Sequence, residues 1–375
     1  MNTLTKATLT AAVLSLCLGT AQAQDILKQS GLTFGGYLDG YYQYDFGRPQ
    51  AGDHVNGRGF DIAHDRPNIA FGELDISRAT SGKSPFGFTL DLYAGRGAEI
   101  IHLTEPGGRN KYRYVRQGYI TYAAPGKSAV TVDFGKFDTW IGYEGIDNRF
   151  QDQYSRSFNW TYSETTYETG LRVNAKLSDK LNGALYVVQG WNEVEDPNKG
   201  KSVGATLAYS PDSNTTYTLQ NHYGLEGSNK TNDAGSYGGI GFPNPGTATV
   251  HLIDFIASKQ MTPSTKLVFN VDYASSVGPT NGGHWNGEVL YLRHQLNASQ
   301  AAGLRVERME DSNGLRVGLP ITFNSFTGTY DRTINKYATL RFEVRHDIAN
   351  SDFFDSNSGP RKDRTTATVA AIVKF

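Results

Sequence analysis

The chain has 375 residues, with 36 Lys and Arg against 37 Asp and Glu, for a formal net charge of −1. That balance excludes nucleic acid as a partner, because binding it needs a concentrated basic face. Mean hydropathy is −0.46 although 22 Tyr, 19 Phe and 42 Gly are present, and no run approaches the ~20 apolar residues of a membrane helix.

Residues 1–23 read as a secretory signal peptide. Lys6 supplies the positive n-region, Ala11 to Leu18 the apolar core, and Ala21-Gln22-Ala23 a small-residue cleavage site. Cleavage after Ala23 leaves residues 24–375 as the mature domain, and loss of Lys6 takes the net charge from −1 to −2. The one cysteine, Cys17, leaves with this segment, and the large Leu16 before it argues against lipid attachment. Disulfides and thiolate chemistry are thereby excluded from the mature chain.

From Leu32 onward, period-two alternation recurs, the mark of strands with two different faces. Leu32 to Phe46 sets Leu32, Phe34, Leu38, Tyr42 and Tyr44 against Thr33, Asp39 and Gln43. Asn68 to Ala79, Phe86 to Gly95, Arg113 to Ala123 and Ala129 to Phe137 follow. Thr166 to Leu177 puts Leu171, Val173 and Ala175 opposite Arg172, Asn174 and Lys176. Then come Leu181 to Trp191, Ser202 to Tyr209, Tyr217 to Leu225, Val250 to Ser258, Lys266 to Tyr273 and Glu288 to Leu296. Gly303 to Met309, Phe326 to Ile334 and Ala338 to Ile348 lead to the closing stretch, Thr365 to Phe375. Charged residues on one face of an apolar ladder must meet water, so that face looks into a solvated lumen. Tallied, the pattern predicts an all-β protein: a transmembrane antiparallel β-barrel of about sixteen strands.

Loop length sorts by parity. Short turns such as Ser81-Gly82-Lys83, Pro125-Gly126-Lys127, Ser178-Asp179-Lys180 and Asn335-Lys336 alternate with long polar stretches. The long ones include Gly47 to Pro67, Arg96 to Tyr112, Asp138 to Thr165, Gly227 to Ala248 and Asn350 to Arg364. Outer-membrane barrels have short periplasmic turns and long outside loops, whereas a soluble sandwich has no reason to sort them. The last strand ends on an aromatic, Phe375, with Val373, Ala371, Val369 and Ala367 on the same face. An edge of that kind invites aggregation in a soluble protein but is paired in a closed barrel. It also resembles the terminal signal by which outer-membrane proteins are recognised for insertion, which makes the barrel-assembly machinery and outer-membrane lipid expected partners.

Several runs resemble the OmpL-like β-barrel porin family of Gram-negative outer-membrane proteins. They are Val132 to Glu144 (VDFGKFDTWIGYE), Tyr154-Ser155-Arg156-Ser157, Thr169-Gly170-Leu171-Arg172 and Val188 to Ser202 (VQGWNEVEDPNKGKS). Gly40-Tyr41-Tyr42 and Glu73-Leu74-Asp75-Ile76 fit as well. At Thr166-Tyr167-Glu168 the chain departs from the Pro-containing run that the family pattern leads one to expect. The resemblance implies a pore in the outer membrane for small hydrophilic solutes.

Two stretches are candidates to govern such a pore. Asp138 to Thr165 carries Glu144, Asp147, Arg149, Asp152 and Arg156 among large aromatics, and a loop so long and aromatic is expected to fold into the lumen as a constriction. Arg341, Glu343, Arg345 and Asp347 share one face of the penultimate strand and, with Arg172, are expected to line the lumen. A lipid-acting barrel enzyme and a structural or adhesive barrel without an open pore are the alternatives, and a homo-oligomer is compatible with any of them. The eight histidines fall in no recognisable nucleophile setting, and HExxH, Cys-based zinc spacing, P-loop and GxSxG are all missing. No catalytic residue, metal or cofactor is expected.

Overall fold

The computed structural model describes residues 30–49, 54–101, 112–124, 129–196, 198–228, 246–278 and 282–375. The expected signal peptide, the turn at 125–127 and most of the loop expected between Gly227 and Ala248 lie outside these residues.

Sixteen strands form the wall. They are β1 (Leu32–Asp45), β2 (Arg66–Arg78), β3 (Phe86–Ala94), β4 (Val115–Ala123), β5 (Val130–Asp138), β6 (Tyr167–Lys176), β7 (Leu181–Val188) and β8 (Ser202–Asp212). The second half comprises β9 (Thr215–Ser228), β10 (Gly246–Thr262), β11 (Thr265–Val277), β12 (Gly283–Asn297), β13 (Gln300–Asp311), β14 (Ile321–Asn335), β15 (Ala338–Ala349) and β16 (Asp363–Lys374). Each pairs with its neighbours in sequence, and β1 pairs antiparallel with β16 from Tyr37↔Lys374 to Asp45↔Thr366, closing the barrel.

One small residue makes room at the end of this seam. Phe375 donates its backbone N–H to Gly36 O at 3.1 Å, and its ring lies where a Cβ on Gly36 would sit, 2.7 Å from Cζ. Glycine at this position leaves room for the terminal aromatic beside β1.

Burial runs opposite to that of a water-soluble fold. Along β13, Arg305 and Glu307 are buried on the inside while Leu304 and Val306 are exposed on the outside. An outside of Leu, Val, Phe and Tyr over sixteen strands is a lipid-facing surface. Several strands run longer than their polarity pattern predicts. β10 begins at Gly246, β12 at Gly283 and β14 at Ile321. The hydrogen-bonded ladder continues past the lipid band, where inward residues such as Trp285, Ile321 and Phe323 are apolar because they pack on other apolar side chains within the lumen.

Hydrophobic packing also occurs within the lumen. Phe158, Tyr162, Trp140, Trp191, Trp285 and Phe323 belong to one buried cluster in which loop residues meet inward-facing strand residues. A second cluster joins Phe60, Phe71, Tyr154 and Trp160.

Candidate functional site

The segment between β5 and β6, residues 139–166 and here called L3, turns into the barrel. Local sequence sets its shape. Gly142 takes a left-handed φ of +86° at the entry bend, a conformation favoured by glycine. The Asp147 carboxylate caps a single 3₁₀ turn, Asn148–Phe150, by accepting from Arg149 N at 2.8 Å. Ser157 caps the six-residue helix α1 (Phe158–Ser163), its Oγ accepting from Trp160 N at 2.9 Å. Arg156 holds these pieces together by donating to the carbonyls of Gly145, Tyr154 and Ile146 at 2.6–2.9 Å.

Strands from all round the wall hold the loop. Trp140 Nε1 donates to Asn221 O on β9 at 3.1 Å, and Tyr143 N to Asn270 Oδ1 on β11 at 2.9 Å. Asn148 and Tyr154 both donate to Asp39 on β1. Arg149 meets Asp75 at 2.6 Å and Glu73 at 3.0 Å on β2. Tyr154 N and Ser155 N donate to the Glu343 carboxylate on β15 at 2.6 and 3.0 Å, and Phe158 N to Glu307 Oε2 on β13 at 2.6 Å. From β12, Trp285 Nε1 donates to Ser163 O at 3.3 Å. Inward carboxylates thus accept from loop amides, and loop aromatics pack on the wall; Phe158 stacks on Phe323 at 4.2 Å. Buried polar groups need partners, and here loop and wall supply each other's.

The ten expected charged positions separate into two kinds. Arg149 and Asp152 keep 13% of their side chains exposed beside Asp75 and Arg293, so they edge free space. Arg172 faces open lumen at 21% exposed, held by Asp133 at 2.8 Å. Arg156, by contrast, is 1% exposed and spent on the loop's own carbonyls. Glu144 and Asp147 are also buried, Glu144 against Arg305 at 2.7 Å and Asp147 against Arg149 and Arg116. Arg341, Glu343, Arg345 and Asp347 point inward, and the first three lie beneath L3 and anchor it. Asp347 is gripped by Arg58, Arg345 and Arg364 at 2.6–3.1 Å.

Sequence reasoning did not single out the wall residues that complete this arrangement. Arg116 on β4 sits among Glu73, Asp91, Asp138 and Asp147 at 3.1–3.4 Å. Glu73, Asp75 and Asp91 approach one another within 4.8 Å, a metal-like spacing. Arg116 and Arg149 lie directly against all three, so guanidinium already supplies the positive charge. Lys266 donates to Tyr143 Oη at 2.6 Å, and Arg293 bridges Asp152 and Asp331. The available signal was position: each occupies an inward register on its strand. Toward the turn ends of β5–β8 a recess of about 300 Å³ remains, lined by Thr131, Asn174, Lys176, Asn182, Tyr186 and Thr206.

A closed barrel with an apolar outside, a charged inside and a long loop folded across its lumen is an outer-membrane channel. The structure is similar to the outer membrane channel DcaP of Acinetobacter baumannii, at 11% identity and TM-score 0.59 over 92% of this chain and 97% of that one. It is equally similar to an anion-selective porin from Comamonas acidovorans, at 11% identity and TM-score 0.60 over 92% and 99%. The trimer form of OmpT from Vibrio cholerae matches at 9% identity and TM-score 0.59 over 92% and 99%. These identities speak to the fold alone. No curated protein sequence matches the chain. Residues 31–375 match the family described as "Putative beta-barrel porin-2, OmpL-like", and the chain belongs to that family. It is an outer-membrane porin, a closed β-barrel channel.

Proposed function

We propose that L3 is the constriction of this porin, with Arg149 and Asp152 meeting the permeating solute while Glu144, Asp147 and Arg156 fold the loop. The observation that carries this reading is the ring of loop-to-wall hydrogen bonds, which reaches β1, β2, β9, β11, β12, β13 and β15. A loop tied on so many sides divides the lumen instead of hanging beside it. Both signs of charge at its free edge set a transverse field, screened less here than on an open rim, where salt damps it over about 8–10 Å. Small polar solutes then pass the Arg149–Asp152 edge and the recess beside Arg172. Planar-bilayer recording in a salt gradient tests it. Arg149→Glu is expected to move the reversal potential toward cations, and an unchanged potential would remove L3 from the constriction.

The reading assigns the protein no catalytic step. His222 lies 2.7 Å from Glu226 Oε1, and Ser202 donates to that same oxygen, so the buried Ser, His and Glu do not form a nucleophile–base pair. Copies of the barrel would associate through the outward groove floored by Gly40 and Ala371 and flanked by Ile69, Leu340 and Val369; cross-linking from this face in native membranes tests that.

A further inference from the structure

Three carboxyl groups lie together where L3 meets the β10–β11 wall. Asp254 and Asp272 are direct cross-strand partners, and Glu164 reaches them from the end of L3. Like charges placed directly opposite on neighbouring strands repel. All three are buried, at 0%, 0% and 2% exposed. Asp272 is within hydrogen-bonding reach of both Asp254 and Glu164. The Asn159 amide bridges the group, donating to Glu164 Oε1 at 3.0 Å and Asp272 Oδ2 at 2.6 Å. Asn270 donates to Asp254. Glu164 Oε2, Asp254 Oδ1 and Asp272 Oδ1 have no donor, although each is enclosed. Gly142 permits this approach, since a Cβ there would fall 1.7 Å from Glu164 Oε2.

Other buried acids of the lumen, Glu144, Asp147 and Asp347 among them, meet arginine. Here none of the three forms an ion pair among the described residues. Glu144 also faces Glu164, but Arg305 holds it at 2.7 Å, and the Arg305–Glu307 pair and the Tyr291 hydroxyl stand on the β12–β13 side. The neighbouring β9 contributes the neutral Gln220, bonded to Gly142 N. An acceptor oxygen can rest against another acceptor oxygen only through a proton. Two such contacts among three carboxyls call for two retained protons.

We propose that the Asp254–Asp272–Glu164 row is a proton-held latch that fastens the end of L3 to the wall and releases it on alkalinisation. Burial, then the charge of Asp254, pushes the Glu164 carboxyl well above the usual carboxylate range. The sign follows from linkage. A carboxyl whose folded value lies above its unfolded one, about 4.3 for Glu, favours the latched form less as pH rises toward the folded value. Once the protons leave, three adjacent charges repel, and Glu164 is the one of the three carried by a loop and not by a paired strand. Leaving the wall, L3 moves into the lumen and narrows the passage.

This inference rests on L3 being the constriction, so the test has separate arms. Single-channel recording of the whole porin from about pH 6 to about pH 9, the documented upper range for buried carboxyls, is expected to show closures increasing several-fold. The Glu164→Gln/Asp254→Asn double variant, whose amides donate without titrating, is expected to stay steady across that range. Infrared spectra of the wild-type protein at pH 7 are expected to show a protonated-carboxyl band that weakens in the double variant. A band unchanged by the substitutions, or missing from the wild type, overturns the latch whatever L3 does to current. A band that behaves as expected beside pH-independent gating overturns the release step. If the double variant does not fold, the wild-type band and its loss on alkalinisation decide alone.

Discussion

Arg305 on β13 and Glu144 on L3 meet at 2.7 Å, and both side chains are at most 5% exposed. The same guanidinium donates to Ser155 O at 2.6 Å, so one wall residue grips both limbs of the loop. Removing one partner of a buried pair costs about 3–5 kcal/mol, because the other charge is left uncompensated. Arg305→Met is therefore expected to loosen L3 without opening the barrel. Protease accessibility of L3 and single-channel noise should both rise, while heat-modifiable gel mobility persists. Equal protection of the loop in variant and wild type would show that the pair does not hold it.

Arg149 and Arg156 share a loop but not an environment. Arg149→Glu should shift the reversal potential in a salt gradient toward cations. Arg156→Gln removes the donor to three carbonyls and should disturb loop order more than ion preference. Side-by-side recordings decide. Matching selectivity shifts in the two variants would mean that Arg156 also reaches the passage.

Deleting Asn148 to Asp152 takes away the 3₁₀ turn and both free-edge charges. Conductance should rise, and liposomes carrying the variant should swell in sugars too large for the wild type. A size limit that stays put places the narrowest point elsewhere in the lumen.

Val306 faces outward midway along β13 and is 45% exposed. Val306→Arg puts a charge into hydrocarbon and is expected to cost about 2–4 kcal/mol near the midplane. Urea titration of protein refolded into lipid vesicles measures it. A neutral result would contradict the assignment of this face to lipid.

Gly36→Leu should hinder closure of the barrel, since the side chain would collide with the Phe375 ring and with Glu73 O. Overpacking of this kind costs about 1–3 kcal/mol. The folded fraction by heat-modifiable mobility should fall, and deletion of Phe375 should lower it as well.

The wall was legible in the chain because its cause is local. Alternation along a strand fixes which face meets lipid and which meets water, and turn residues at short intervals fix antiparallel neighbours, so all sixteen strands were read from residue order. The inward faces of Arg341, Glu343, Arg345 and Asp347 follow from the same period. What those side chains touch does not follow from it. Glu343 accepts from Tyr154 and Ser155, 188 residues or more away in sequence, and Asp347 gathers Arg58 and Arg364 from two other segments. L3 has no period to read, because its form comes from caps, one glycine bend and contacts with many strands at once. Hence Arg149 and Arg156, two similar charges seven positions apart, end one at the edge of free space and the other enclosed in the loop. A closed wall places side chains from distant strands around one lumen, and only their arrangement in three dimensions decides which charges are left for a solute to meet.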